Sequence, residues 1–198
     1  MGNPSGATKY GTGKDALLRA VVVVVSEKGL RGLTFRSVAE CAGVNNSLVA
    51  HHFGTRDALI AAALEWASDR SISASKLREA VTAGQSFTDS LLDLLLEDPE
   101  LQIFQYEMIL ESRRRPELRA GVLALYESYI EALTEGLDAS GASYNSRVVA
   151  RMLFATLDGL VLQYLSGVER QLIQASLEEV HGVLLRQGLS PTAADSES

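Results

Sequence analysis

Three glycines, Gly29, Gly43 and Gly54, cut residues 14–66 into short segments whose apolar residues recur every three or four positions. That spacing lines one face of a helix, whereas a half-buried strand alternates every second residue. Glycine suits the ends of such helices because it enters left-handed backbone without a steric penalty. A first helix is predicted from Lys14-Asp15 to Gly29, burying Leu17, Leu18, Val21, Val24 and Val25. Its five-valine run is the one place where β-branching argues for a strand. Asp15 suits a helix start, Gly29 a stop, and no strand partner lies nearby, so the prediction is helix. Thr34 can cap a second helix through Phe35, Val38, Ala39 and Ala42, with Cys41 as a small buried residue. Asn45 or Asn46 starts a third, through Leu48, Val49 and Phe53. Thr55 caps a fourth, from Arg56 through Leu59, Ala63 and Trp66, with Asp57 well placed in its first turn.

Beyond residue 70 the periodicity predicts five longer helices, with cores near Thr88–Leu96, Leu101–Arg114, Pro116–Ala139, Ser146–Leu165 and Glu169–Gln187. The last two are the most apolar, and Ala150, Ala155 and Gly159 are small enough for close helix approach. The expected fold is all-α. The chain divides into a flexible arm over 1–13, a head over 14–66, a body over 67–189 and a flexible tail over 190–198.

A chain of 198 residues, 46% of them hydrophobic, buries roughly 70% of its extended surface and needs no covalent staples. Its single cysteine excludes an intramolecular disulfide framework and a cysteine-based zinc site. No apolar run approaches the roughly 18 residues of a membrane span. The start, Met1-Gly2-Asn3-Pro4, shows no basic-then-apolar leader, so the expected location is cytoplasmic, with no membrane partner. Residues 1–70 hold eight Lys/Arg against six acids, and the remainder ten against 19, so a net +2 head sits on a −9 body. Only the head is suited to a polyanion.

Residues 34–57, TFRSVAECAGVNNSLVAHHFGTRD, read as two short helices joined by a tight glycine turn, the pattern of a helix-turn-helix. Val38, Val44, Val49 and Phe53 are expected to close a miniature core. That leaves Asn45, Asn46, Ser47, Ala50 and His51 for a major groove, where Asn and Ser bond base edges. A plain helix pair is the competing reading.

The larger context resembles the TetR family of transcriptional regulators over residues 14–66. The matching motifs are Ser26-Glu27-Lys28-Gly29, Leu33-Thr34-Phe35-Arg36-Ser37-Val38-Ala39, Ala42-Gly43-Val44, His52-Phe53 and Gly54-Thr55-Arg56-Asp57-Ala58-Leu59. Arg113-Arg114-Arg115-Pro116-Glu117-Leu118-Arg119 and Leu157-Asp158-Gly159-Leu160 are looser pieces of the same likeness. The resemblance implies a homodimer with a three-helix DNA-binding head, a four-helix dimer seam from the last two helices, and an effector pocket in the body. It implies a repressor that leaves a double-stranded, pseudo-palindromic operator when a small molecule binds, and the candidate pocket residues below suit a fairly apolar one. By matching position, Thr34, Thr55 and Arg56 bind phosphates, Asn46 and Ser47 read bases, Arg36 reaches a base edge or phosphate, and Lys14 touches the backbone. The family's usual tyrosine is missing at Ala50 and His51, where His51 can donate to phosphate instead. Val25 also replaces a usual aromatic residue.

For the pocket, Trp66, Phe104, Met108, Met152, Leu153 and Tyr164 are candidate apolar lining, although a residue of this kind at helical spacing is more often simply core. Glu107, Asp158 and Gln163 interrupt apolar helical stretches, where a buried polar group needs a partner. No cofactor or metal is predicted. His51 and His52 point about 100° apart on a helix and cannot share an ion. Gly11-Thr12-Gly13-Lys14 lacks the earlier glycine and preceding strand of a phosphate loop. No nucleophile–base pair is legible, so an enzyme is not predicted. The missing tyrosine and the net charge of −7 keep one alternative open, a small-molecule-binding or protein-interaction dimer whose head no longer reads DNA.

Overall fold

In the computed structural model the described residues are 7–70, 93, 97–139 and 145–186, and all regular structure among them is helical. Among the described residues eight α-helices follow one another: α1 (Ala7–Lys28), α2 (Phe35–Ala42), α3 (Asn46–Phe53), α4 (Arg56–Arg70), α5 (Pro99–Glu111), α6 (Arg119–Asp138), α7 (Ser146–Leu165) and α8 (Arg170–Arg186). Apart from Asp93, the helix expected over Thr88–Leu96 lies outside the described residues, as does the tail over 190–198. Contacts divide the chain into one unit of residues 1–71 with 99–124 and another of 72–98 with 125–198. The first unit therefore takes in α5 and the start of α6 as well as the expected head.

α1 forms the centre of the first unit, packing against α2, α4 and α5. Val21, Val22, Val24 and Val25 are each at most 1% exposed. Burying a valine contributes about 1.5–3 kcal/mol, while its helix-propensity deficit is at most about 0.7 kcal/mol, so burial decides for helix. α1 begins at Ala7 rather than near Lys14, so residues 7–13 of the expected arm are helical. Once a helix is nucleated each added residue needs only one more favourable step, and Gly11 and Gly13 do not stop it. Asp15 thus lies inside α1 instead of starting it. Its carboxylate accepts from Trp66 Nε1 at 3.2 Å and from Arg70 Nη2 at 2.9 Å, and the Arg70 guanidinium lies 4.4 Å over the Trp66 ring.

α5 turns Leu101, Phe104, Gln105 and Met108 inward and packs on α1 and α4. Where α4 meets α6, a Cβ added at Gly121 would stand 2.8 Å from Leu64 Cδ2, so only glycine fits without a shift. Two expected core positions are not core: Val44 is 37% exposed, and Cys41 lies exposed on α2. α2 buries Val38 and Ala39 instead. Partial desolvation first, then the Glu27 carboxylate, push the Cys41 thiol above its ordinary range.

In the second unit α7 buries Ser146, Ala150, Leu153, Leu157, Leu160 and Val161, and α8 buries Ile173, Leu177 and Leu184. Of the three small residues expected at a helix crossing, only Ala150 is fully buried, and Ala155 is exposed. Phe154 stacks on Tyr129 at 5.0 Å and meets Tyr126 edge-on at 5.6 Å. Contrary to the sequence reading, α7 is long and apolar enough to cross a membrane by length and composition, although only 28% of that stretch is buried. Arg147, Arg151 and Asp158 interrupt it, and both arginines pair with Glu127 on α6.

Phe104 is wholly inaccessible within the first unit, so Phe104→Ala should lower the unfolding free energy by about 3–5 kcal/mol in a urea titration. A loss below about 1 kcal/mol would show that the side chain faces open space instead of core.

Candidate nucleic-acid interface

The helix-turn-helix is built by its caps. Thr34 Oγ1 accepts from the Ser37 amide at 3.0 Å, while Ser37 Oγ accepts from the Thr34 amide at 2.9 Å, a reciprocal box that starts α2. Gly43 ends α2 at φ 66°, ψ 32°, left-handed backbone that a side chain would strain. Asn45 then starts α3, its Oδ1 accepting from the amide of Ser47 at 2.9 Å and from its hydroxyl at 3.0 Å. Gly54, again at positive φ, ends α3, and Thr55 Oγ1 accepts from the Ala58 amide at 3.1 Å to start α4. α3 packs against α2 and α4 through buried Val49 and Phe53.

The opposite face of α3 is open and carries no carboxylate. Asn46, Ser47 and His51 are exposed and Ala50 is half-buried. The caps divide the labour. Asn45 is occupied with starting the helix, and the Ser47 hydroxyl is already turned toward it. Asn46 keeps its amide clear of both bonds. Leu48, read from the sequence with the apolar face, is 40% exposed and joins Val44 as an apolar spot on this surface. Such groups meet thymine methyls in a major groove, and burial alone separates them from core leucine and valine.

The cations are arranged less simply. Arg36 is 84% exposed on α2, yet its Nε donates to Glu40 Oε1 at 2.8 Å, so part of its charge is offset within its own helix. Lys14 is exposed on α1. Arg56 departs most from its expected role. Its Nε donates to the Leu33 carbonyl at 2.9 Å and its Nη2 to the Leu30 carbonyl, tying the start of α4 to the turn after α1. Two of the five guanidinium donors are thus committed within the protein, and phosphate is left the remainder. Sequence spacing cannot reveal this, because the carbonyls lie more than 20 residues away.

The expected pocket residues scatter. Phe104 and Met108 are 0% exposed in the core of the first unit and present no surface to a ligand, and Trp66 is tied to Asp15 and Arg70 in that same unit. Glu107 is half-buried on α5, and Gln163 is exposed on α7 rather than buried. The buried amide is Gln105, 4% exposed. Met152 is 66% exposed and, with Val149, Leu153, Thr156, Ser176, Val180 and Val183, lines an open groove of about 660 Å³ along α7 and α8. Asp158 is half-buried. Burial, and then the Asp158 charge, push the Tyr126 phenol above its ordinary range, which keeps it a protonated donor.

The family described as bacterial regulatory proteins of the tetR family matches residues 17–63, and the tetracyclin repressor-like C-terminal domain family matches residues 82–187. In sequence the chain is similar to the HTH-type transcriptional regulator BetI of Stenotrophomonas maltophilia (strain R551-3), 27% identical over 157 residues, 76% of this chain and 80% of that one. It is also similar to the HTH-type transcriptional regulator CymR of Pseudomonas putida, 30% identical over 111 residues, 54% of each chain. Among solved structures, a transcriptional regulator from Rhodococcus sp. Rha1 superposes with a TM-score of 0.72 at 25% identity, covering 87% of this chain and 95% of that one.

Two outcomes distinguish tying from reading. Arg56→Ala should lower stability by about 1–3 kcal/mol in urea, since two charge-assisted hydrogen bonds are lost. An unchanged urea midpoint with a salt slope smaller by about 1 would return Arg56 to a pure phosphate role. Asn46→Ala should cost about 1–3 kcal/mol at one base position while leaving binding to random DNA intact. Equal losses on both duplexes would remove Asn46 from base reading.

Proposed function

The chain belongs to the TetR family of bacterial regulatory proteins, ligand-responsive and DNA-binding, and from that premise we propose a homodimeric repressor released from its operator by a small, fairly apolar effector. The observation that carries the DNA half is the acid-free, exposed face of α3 held between the capped starts of α2 and α4. In this reading α3 enters the major groove with Asn46 and Ser47 toward base edges. Thr34, Thr55 and the open amides at the helix starts hold phosphates, with His51, Arg36 and Lys14 adding contacts. The protein acts in the cytoplasm, where its DNA lies.

The outer faces of α7 and α8 support the dimer. Val148, Met152 and Leu172 are 54%, 66% and 60% exposed, and Met152 lines the apolar groove. Large apolar side chains left in water on adjacent helices suit a partner surface, and a second copy covers them by two-fold symmetry. Met152 therefore moves from the effector site to the dimer seam. Two-fold symmetry sets the recognition helices about 34–36 Å apart, one turn of duplex. For the effector, the ring cluster of Tyr126, Tyr129 and Phe154 with Asp158 beside it supplies an apolar surface and one polar anchor. Release requires a coupling of only about 1–3 kcal/mol between effector and operator binding.

Fluorescence anisotropy on the chain's own upstream intergenic DNA and on a scrambled duplex, across a salt series, tests the reading. Selective binding of two protomers with a steep salt slope is expected. Equal weak binding to both, with no motif recovered by random-sequence selection, would favour a dimer that has lost DNA reading. Met152→Glu should shift the sedimentation equilibrium toward monomer and weaken operator binding by about tenfold or more, because a charge is forced into the seam.

A further inference from the structure

Arg115 lies in the turn between α5 and α6 and is 23% exposed, whereas Arg114 beside it is 78% exposed. Its Nη2 donates to Asp57 Oδ1 at 3.0 Å, its Nε stands 3.7 Å from Glu111 and 3.9 Å from Glu117, and its buried Nη1 makes no hydrogen bond among the described residues. One guanidinium therefore faces three carboxylates. Two of them, Glu111 and Glu117, belong to its own stretch of chain, while Asp57 is 58 residues away. Asp57 stands in the first turn of α4, just past the Gly54-Thr55 turn that ends α3. The neighbouring Arg56 ties the same point to the Leu30 and Leu33 carbonyls. The exit of the recognition helix is thus held from two sides.

Asp57 is 64% exposed, and an ion pair with one exposed partner adds little stability. Opening it also leaves Arg115 with two carboxylates nearby. A directional contact that is cheap to open serves placement better than stability. We propose that Arg115, acting through Asp57, is a positioning residue for DNA recognition, setting where α4 begins and so how α3 presents Asn46, Ser47 and His51. The proposal rests on the reading of α3 as the DNA-binding helix.

The test uses the full chain and a duplex recovered from random-sequence selection on the wild type. The readout is the ratio of affinities for the selected and scrambled duplexes, which cancels the general electrostatic effect of changing a charge. Arg115→Gln and Asp57→Asn should each lower that ratio about five- to tenfold, and the double variant should lower it no further. Arg115→Lys, which keeps the charge, should restore most of it, and the thermal midpoints should stay near wild type. A wild-type ratio in Arg115→Gln overturns the proposal, as does a fall in ratio matched by a fall in midpoint that Lys does not rescue. A wild type that selects no sequence removes the DNA reading and this proposal with it. A selective wild type with unaffected variants removes the proposal alone.

Discussion

From Leu17 to Val25 helix α1 has almost no solvent face, with Leu17, Leu18, Ala20, Val21, Val22, Val24 and Val25 all within 4% of complete burial. A helix buried nearly all round must be covered from several directions, and α2, α4 and α5 do so. This requirement gathers the first unit. It places the two short helices of the helix-turn-helix, neither long enough to be stable alone, on a support they share. It also draws in α5 from beyond residue 98, because Leu101, Phe104 and Met108 need the same apolar partner.

Upon that support, polar side chains do two jobs. Thr34, Asn45 and Thr55 satisfy the first amides of α2, α3 and α4. An uncapped start leaves amides seeking an acceptor, and a DNA phosphate supplies oxygens to those that remain open. Arg56 shows the limit of the pattern: a cation expected from the sequence to bind phosphate donates instead to two turn carbonyls, which engage two of its nitrogens.

The second unit has the opposite imbalance, with more apolar surface than its own helices cover. α7 carries an 18-residue window of mean hydropathy 1.4 of which only 28% is buried, yet Arg147, Arg151 and Asp158 punctuate the helix. Apolar residues on one open side with charges on another suit a protein partner, and the family supplies a second copy. The proposed four-helix seam would cover the exposed Val148, Met152 and Leu172 and the groove along α7 and α8.

Helix content, the breaks at Gly29, Gly43 and Gly54, the caps and the family were legible in the sequence. Each is a local property of periodicity, left-handed backbone or side-chain-to-amide reach, decided within about four residues. Ser146–Leu165 matched its helix to the residue for that reason. The destinations of Phe104, Met108 and Trp66 were not legible, nor the exposure of Met152 and Cys41, nor the ties from Arg56 to Leu30 and from Arg115 to Asp57. An apolar residue at helical spacing looks the same whether it faces core, ligand or partner, and a charged one looks the same whether it meets phosphate or a carbonyl across the fold. Tertiary packing decides between them, as α5 on α1 does for Phe104 and Met108 and as α4 with the α5–α6 turn does for Arg115, because such contacts join residues tens of positions apart.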